Sequence, residues 1–363
     1  MGVSNGRLAM LSAGGTGGHL FPAEALAHEL ISRGWRIQLM TDDRAEKYAD
    51  SFPCEKMHIV KSATPSGKNP IAIVKAVLSL ARGTGQSRKI IKTEQPSVVI
   101  GFGGYPTIPP LWASTSVIPT AIHEQNAVMG RANKLLAMKV DRIAGGFLKP
   151  EGQFADKIVQ TGNPVRPAVL KQCGGAYSTS TGDEPFNLVV FGGSQGASYF
   201  SEALPPALEK LSHAMRRRLR ITQQARPEDE MDARKAYAEL GVEADVSPFF
   251  ADLPKRIADA HLVIARSGAS TVSEIAAIGR PSVLVPYPHA LDHDQAANAA
   301  SLEAEGGTMV RKQSDLDTDV LSALLMELID APERLKDMAE KAAKVGKPKA
   351  ASLLADLTET IAD

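Results

Sequence analysis

The sequence predicts a doubly wound α/β protein built from two similar parallel-sheet units, and three observations carry that prediction. Arg7 to Ala13 reads as a strand running into Gly14-Gly15-Thr16-Gly17-Gly18-His19, then a helix and a second strand. Asn187 to Phe191 repeats the opening, a strand feeding Gly192-Gly193-Ser194-Gln195-Gly196-Ala197 and another helix. At 363 residues the chain exceeds a usual single core, so two domains are the default. Two such units facing across a cleft is the arrangement expected.

Composition narrows the function classes. An apolar fraction of 44% with 23% charged residues is ordinary for a globular protein. Lys+Arg and Asp+Glu both total 41, so no global charge argues for nucleic acid, and any electrostatic function is local. The two cysteines, Cys54 and Cys173, make neither a metal pattern nor a disulfide framework, which fits a reducing compartment. Met1 to Arg7 is short and polar, so no signal peptide is expected. No apolar run reaches the roughly 18 residues of a spanning helix, so a cytosolic or peripheral protein is expected.

Taken in order, the first glycine loop precedes a helix with Leu20, Ala23, Leu26, Ala27 and Leu30 at helical spacing, closed at Gly34. Trp35 to Thr41 is the next strand. A dinucleotide fingerprint is not met, because Leu20 stands where the third Gly or Ala belongs, and no Gly loop runs into a P-loop Lys. Asn69 to Ile91 reads as a helix with Ile71, Val74, Val77, Leu78 and Ala81 on one stripe, interleaved or flanked by Lys68, Lys75, Arg82, Arg88, Lys89 and Lys92. Two readings stand: a stripe packed on its own sheet, or a basic apolar patch for an anionic membrane surface.

Ser97 to Ile100 is a strand ending in Gly101-Phe102-Gly103-Gly104-Tyr105-Pro106, a second tight loop at the strand end where open α/β sheets place ligands. Pro119 to His123 is a strand entering the polar run Glu124-Gln125-Asn126, and Lys157 to Gln160 closes the half. The Gly/Ser/Thr-rich, aperiodic stretch from Lys171 to Pro185 is a loop or linker. Further strands are expected at Leu219 to Gln223, Leu262 to Ala265 and Ser282 to Val285. After Ala265, Arg266-Ser267-Gly268 turns the chain into a helix read from Thr271 and ended by Gly279. Such a strand–turn–helix presents free N–H groups and a positive dipole end, suited to a diphosphate. The competing reading makes Thr271-x-x-Glu274 a capping box for its own helix. Glu333 to Val345 and Ala350 to Ile361 read as helices, the last reaching back to the first domain.

Four motifs together resemble the MurG family of glycosyltransferases, in glycosyltransferase family 28. They are Gly14–His19, His123-Glu124-Gln125-Asn126, Gly192–Gly196 and Ser267-Gly268-Ala269-Ser270-Thr271-Val272-Ser273-Glu274, and the loops Gly101–Tyr105 and Gly162–Arg166 match as well. The likeness runs in order along nearly the whole chain. It implies a GT-B architecture, with an acceptor- and membrane-binding domain at 1–165, a UDP-GlcNAc-binding domain at 166–346, and a terminal helix from about 347 to 363 packing on the first. It implies transfer of GlcNAc from UDP-GlcNAc to the C4 hydroxyl of MurNAc in lipid I, giving lipid II, with inversion. That places the protein on the cytoplasmic face of the bacterial inner membrane, in peptidoglycan synthesis, alongside other cell-wall and division proteins.

A single displacement needs a base for the acceptor hydroxyl and a stabiliser for the departing diphosphate. His19 is the candidate base, held neutral by the dipole of the helix behind it. By resemblance, Thr16, Gly17 and Gly18 of the loop around it bind substrate, and Tyr105 lines the acceptor pocket. Ser194, Gln195 and Gly196 lie against the diphosphate with Ser270 and Thr271, and Arg166 adds positive charge. Glu274 holds the ribose hydroxyls, the backbone near Phe250 reads the uracil edge, and Asn126 and Gln295 bind GlcNAc hydroxyls. No cofactor is implied. Asp292-His293-Asp294 spells D-x-D and is read as accidental, not as a metal site. The chain departs from the family in carrying Asp294-Gln295 where two glutamines are usual, and Phe250 in place of a smaller aliphatic residue. Rival readings are a glycolipid synthase, a UDP-GlcNAc 2-epimerase and a silent nucleotide-sugar-binding regulator.

Overall fold

The computed structural model describes residues 6–14, 17–43, 52–63, 70–193, 198–290 and 294–363. The chain divides into two compact units, Met1–Arg166 with Lys349–Asp363, and Pro167–Pro348. The boundary falls after Arg166, one residue beyond the sequence-read boundary.

In the first unit the strands are β1 (Leu8–Ser12), β2 (Arg36–Thr41), β3 (Lys56–Ile59), β4 (Val98–Gly101), β5 (Thr120–Glu124), β6 (Arg142–Gly145) and β7 (Ile158–Gln160). They form one parallel sheet in the order β3-β2-β1-β4-β5-β6-β7. The order reverses between β1 and β4, so the loops after these two strands diverge and leave a crevice at their carboxyl ends. Helix α1 (Gly17–Ser32) follows β1, α2 (Pro70–Glu94) precedes β4, and α3 (Ile108–Ser114) and α4 (Arg131–Ala137) follow β4 and β5. Both faces of the sheet are covered, which is why β1 and β4 read as unbroken apolar runs.

One face packs Leu20, Leu26, Leu30 and Trp35 with Leu354 and Ala355 of the C-terminal helix Ala350–Ala362. Arg33 anchors that helix through Asp356 and Glu359, each at 2.7 Å, and Trp35 Nε1 donates to Glu359 at 3.1 Å. The other face packs Met10, Val99 and Ile122 under α2, α3 and α4. Helix α2 buries Ala76, Leu80 and Ile91 there. Val74, Val77 and Leu78 face solvent at 57%, 56% and 51% exposure, so the expected stripe is not the one that packs. Ala76, Leu80, Gly83, Ser87 and Ile91, spaced by three or four, form the buried side instead.

The second unit repeats the plan. Its strands are β8 (Phe186–Phe191), β9 (Leu219–Gln224), β10 (Glu243–Ser247), β11 (Leu262–Ala265), β12 (Ser282–Leu284) and β13 (Thr308–Val310). All pair in parallel in the order β10-β9-β8-β11-β12-β13, with the reversal between β8 and β11. Helix α5 (Ser198–Glu209) follows β8, α6 (Ala269–Ile278) follows β11 and α7 (Asp294–Glu305) follows β12. The core joins Phe186, Leu188 and Ile264 of the sheet to Phe200, Leu204 and Tyr237.

Candidate active site

In the first unit the loops at the β1/β4 reversal meet on one imidazole. Helix α1 begins at Gly17, so Gly17 and Gly18 open it and His19 stands in its first turn, half-buried. Pro22 has no N–H for the carbonyl of Gly18, four residues back, so this end of the helix is not fully closed on itself. Across the crevice Gly103 and Gly104 both adopt left-handed φ, 89° and 77°. A Cβ on Gly103 would lie 3.3 Å from Cε1 of His19, and one on Gly104 would lie 3.4 Å from its Cδ2. The second glycine loop is therefore glycine for two reasons: its backbone geometry and the ring that lies against it. Nδ1 of His19 is buried and has no hydrogen-bond partner among the described residues. Burial holds the His19 pKa below its usual value, while Glu124, Gln125 and the Phe102 carbonyl pull it partly back up. Burial favours the neutral form of this imidazole.

The run after β5 is wired behind His19. His123 is fully buried, its Nε2 on the Gly162 carbonyl at 3.1 Å and its Nδ1 facing Gln125 Nε2 at 3.1 Å. The first contact makes Nε2 the protonated nitrogen and leaves Nδ1 to accept from Gln125. Burial pushes its pKa down to about 4. Gln125 Nε2 also donates to the Phe102 carbonyl at 2.9 Å, tying the second glycine loop to this run. Glu124 accepts from the backbone N–H of Asn126 (3.0 Å) and Gly130 (2.9 Å) and from the side-chain amides of Asn126 (3.2 Å) and Asn133 (2.8 Å). Asn126 thus has its NH2 fixed by Glu124. Tyr105 is half-buried against the apolar cluster under α2 and α3, so the packing reading of that ring accounts for much of it. Arg166 stacks on Phe21 of α1, Cζ 4.2 Å from the ring centre, with Glu24 nearby. Thr16 lies outside the described residues.

In the second unit the equivalent reversal joins Gly193, at φ 79°, to the turn after β11. Helix α6 starts at Ala269, two residues earlier than Thr271, with Gly268 as N-cap and no side chain capping it. Thr271 lies inside the first turn and is not a cap, so the capping-box reading is overturned. The N–H groups of Ala269, Ser270 and Thr271 have no intrahelical acceptor, and Ser267 Oγ beside them is buried without a partner among the described residues. Glu274 is buried one turn further along. Gly279 closes the helix in the left-handed conformation. Gln295 spends its carbonyl on the Tyr287 N–H at 2.9 Å, leaving its NH2 as the end for a ligand. The Phe250 ring is buried under Arg256, 4.4 Å from Cζ to the ring centre. Ser194, Gln195 and Gly196 lie outside the described residues, as do Asp292 and His293. Among the described residues no group of three or more His, Cys, Asp or Glu is placed to hold a metal.

Residues 9–145 match the glycosyltransferase family 28 N-terminal domain, and residues 187–354 match the glycosyltransferase family 28 C-terminal domain. The chain belongs to glycosyltransferase family 28. A curated UDP-N-acetylglucosamine--N-acetylmuramyl-(pentapeptide) pyrophosphoryl-undecaprenol N-acetylglucosamine transferase of Chelativorans sp. (strain BNC1) is 59% identical over 98% of this chain and 96% of its own. The protein of that name in Mesorhizobium japonicum is 61% identical over 97% of this chain and 95% of its own. The crystal structure of Acinetobacter baumannii MurG has a TM-score of 0.78 at 28% identity, covering 98% of this chain and 99% of that one. A Neisseria meningitidis UDP-GlcNAc 2-epimerase bound to UDP-GlcNAc has a TM-score of 0.67 at 12% identity, covering 97% of this chain and 100% of that one, a likeness of fold alone.

Within this family 28 chain, sequence reasoning missed the buried network of Glu124, Gln125 and Asn133 behind His19. It had only the polar run His123–Asn126 as a signal. It also passed over Arg266, whose signal was a lone cation inside an otherwise small and apolar turn.

Proposed function

We propose that this chain transfers GlcNAc from UDP-GlcNAc to the C4 hydroxyl of MurNAc in undecaprenyl-pyrophosphoryl-MurNAc-pentapeptide, giving lipid II with inversion at the anomeric carbon. The observation that carries this is the near-full-length identity, 59% to 61%, to curated transferases of that name. The site chemistry fits. His19 is a neutral imidazole at the lip of the β1/β4 crevice, able to take the acceptor proton. Asn126, fixed by Glu124, and the NH2 of Gln295 would bind sugar hydroxyls. The unclaimed N–H groups at the start of α6, with Ser270 and Thr271, would receive the diphosphate, and Glu274 the ribose. Arg166 adds a cation on the α1 side, and Thr16, Ser194, Gln195 and Gly196 complete the assignment.

The acceptor is lipid-linked, so we place the protein peripherally on the cytoplasmic face of the inner membrane. Support comes from α2, whose exposed Ile73, Val74, Val77 and Leu78 are flanked by exposed Lys75, Arg82, Arg88 and Lys89. Among the described residues no helix is long and apolar enough to cross a membrane.

The test is UDP release from UDP-GlcNAc in EDTA, with and without a short-chain lipid I analogue. Acceptor-dependent release is expected. Conversion of UDP-GlcNAc without acceptor would point to an epimerase, and binding without turnover to a silent binder.

A further inference from the structure

Arg266 is a buried cation with no anion paired to it among the described residues. It is 5% exposed at the end of β11, and no carboxylate pairs with it among the described residues. Nη1 donates to the carbonyls of Val285 (3.1 Å) and Pro286 (3.3 Å), and Nη2 to Gln313 Oε1 (2.6 Å). Nε is buried with no hydrogen-bond partner among the described residues. Three rings surround the guanidinium, Phe200, Tyr199 and Tyr287, with centres 5.2, 5.4 and 5.5 Å from Cζ. Its partners thus come from the start of α5, from the segment after β12 and from the turn after β13. All lie at the carboxyl ends of strands, from β8 beside the reversal out to β13 at the sheet's edge.

Carbonyl dipoles and ring faces offset only part of the desolvation of a buried charge. A neutral amide in this place could tie the same segments together without that desolvation. The charge sits directly before the Ser267–Gly268 turn, where Ser267 Oγ and the first N–H groups of α6 are also unclaimed among the described residues. We propose that Arg266 is the buried counter-charge for the diphosphate of the nucleotide, set behind the turn that receives it. The inference rests on the UDP-sugar reading above. Arg266 is a positioning residue: it acts through the turn and through space, and its charge is balanced only when the anion arrives. It distinguishes a nucleoside diphosphate from a bare nucleoside, which the ribose and uracil contacts do not.

The experiment compares binding of UDP and uridine by ligand-observed NMR titration to the wild-type chain, Arg266→Gln and Arg266→Lys. Loss of one charged partner predicts UDP binding about tenfold or more weaker in Arg266→Gln, with uridine binding unchanged and UDP binding largely restored in Arg266→Lys. Equal loss of UDP and uridine in Arg266→Gln would mean a loop clamp and overturn the proposal; so would no loss of either. Should Arg266→Gln fail to fold, Arg266→Lys decides alone. A buried amine lacking an anion has a depressed pKa that a bound diphosphate raises, so UDP binding takes up protons near pH 9. Calorimetry in two buffers of different ionisation enthalpy reads that uptake as an excess over wild type, and no excess uptake overturns the proposal. A wild-type chain that binds no UDP would instead sink the UDP-sugar reading, and this inference with it.

Discussion

His19 shows how one residue's role depends on what surrounds it. Its ring lies against two glycines that only a left-handed backbone and a missing Cβ allow, and burial keeps it neutral. Replacing His19 by Ala should lower kcat by about 10²- to 10⁴-fold, the usual worth of a general base, with the Kd for UDP-GlcNAc nearly unchanged. Steady-state kinetics beside a direct titration measure both. Because the folded pKa lies below 6.5, kcat/KM should hold down to mildly acidic pH and then fall as the imidazole protonates. His123 carries a separate pH effect. Its pKa drops from 6.5 to about 4, so the unfolded chain binds the proton first. Stability present above pH 6.5 is lost as pH falls toward 4, by about 3 kcal/mol from this residue. Chemical denaturation across that window measures it, and His123→Gln should flatten the dependence.

At the scale of elements, α2 is where the sequence pattern and the packing part company. The stripe Val74, Val77 and Leu78 has helical spacing and would pack on a sheet as well as Ala76, Leu80 and Ile91 do. Spacing alone does not say which of two apolar faces turns inward; Gly83, whose Cβ would collide with the Lys61 carbonyl, and Ser87 mark the side that does. Converting Val74, Val77 and Leu78 to Ser should leave unfolding free energy within about 0.5 kcal/mol, as exposed sites do, while sharply reducing sedimentation with anionic vesicles. Removing Lys75, Arg82 and Lys89 should weaken vesicle binding by about 3 kcal/mol at low salt, at roughly 1 kcal/mol per charge. Unchanged vesicle binding in both sets would exclude α2 as the contact.

Over the whole molecule, the strands nearest each sheet's centre were legible because both faces are covered and their residues are uniformly apolar, as in Leu262–Ala265. Three of the four edge strands were not: Lys56–Ile59 and Glu243–Ser247 carry polar or charged residues on an exposed side, and Thr308–Val310 has only three residues; the fourth edge, Ile158–Gln160, was read, while Arg142–Gly145, one strand in from it, was missed. The glycine loops were legible as loops. Their joint placement on His19, the Glu124 network and the cage around Arg266 depend on contacts between residues far apart in sequence, which spacing does not encode.

The proposed reaction moves one GlcNAc, with inversion, onto a lipid-linked MurNAc. Its most direct test is product analysis after incubating the full chain with UDP-GlcNAc and a short-chain lipid I analogue. The expected product is an acceptor that has gained a single N-acetylhexosamine at C4, β-linked by its NMR coupling, with one UDP released per sugar transferred. An unmodified acceptor, or an α-linked product, would contradict it.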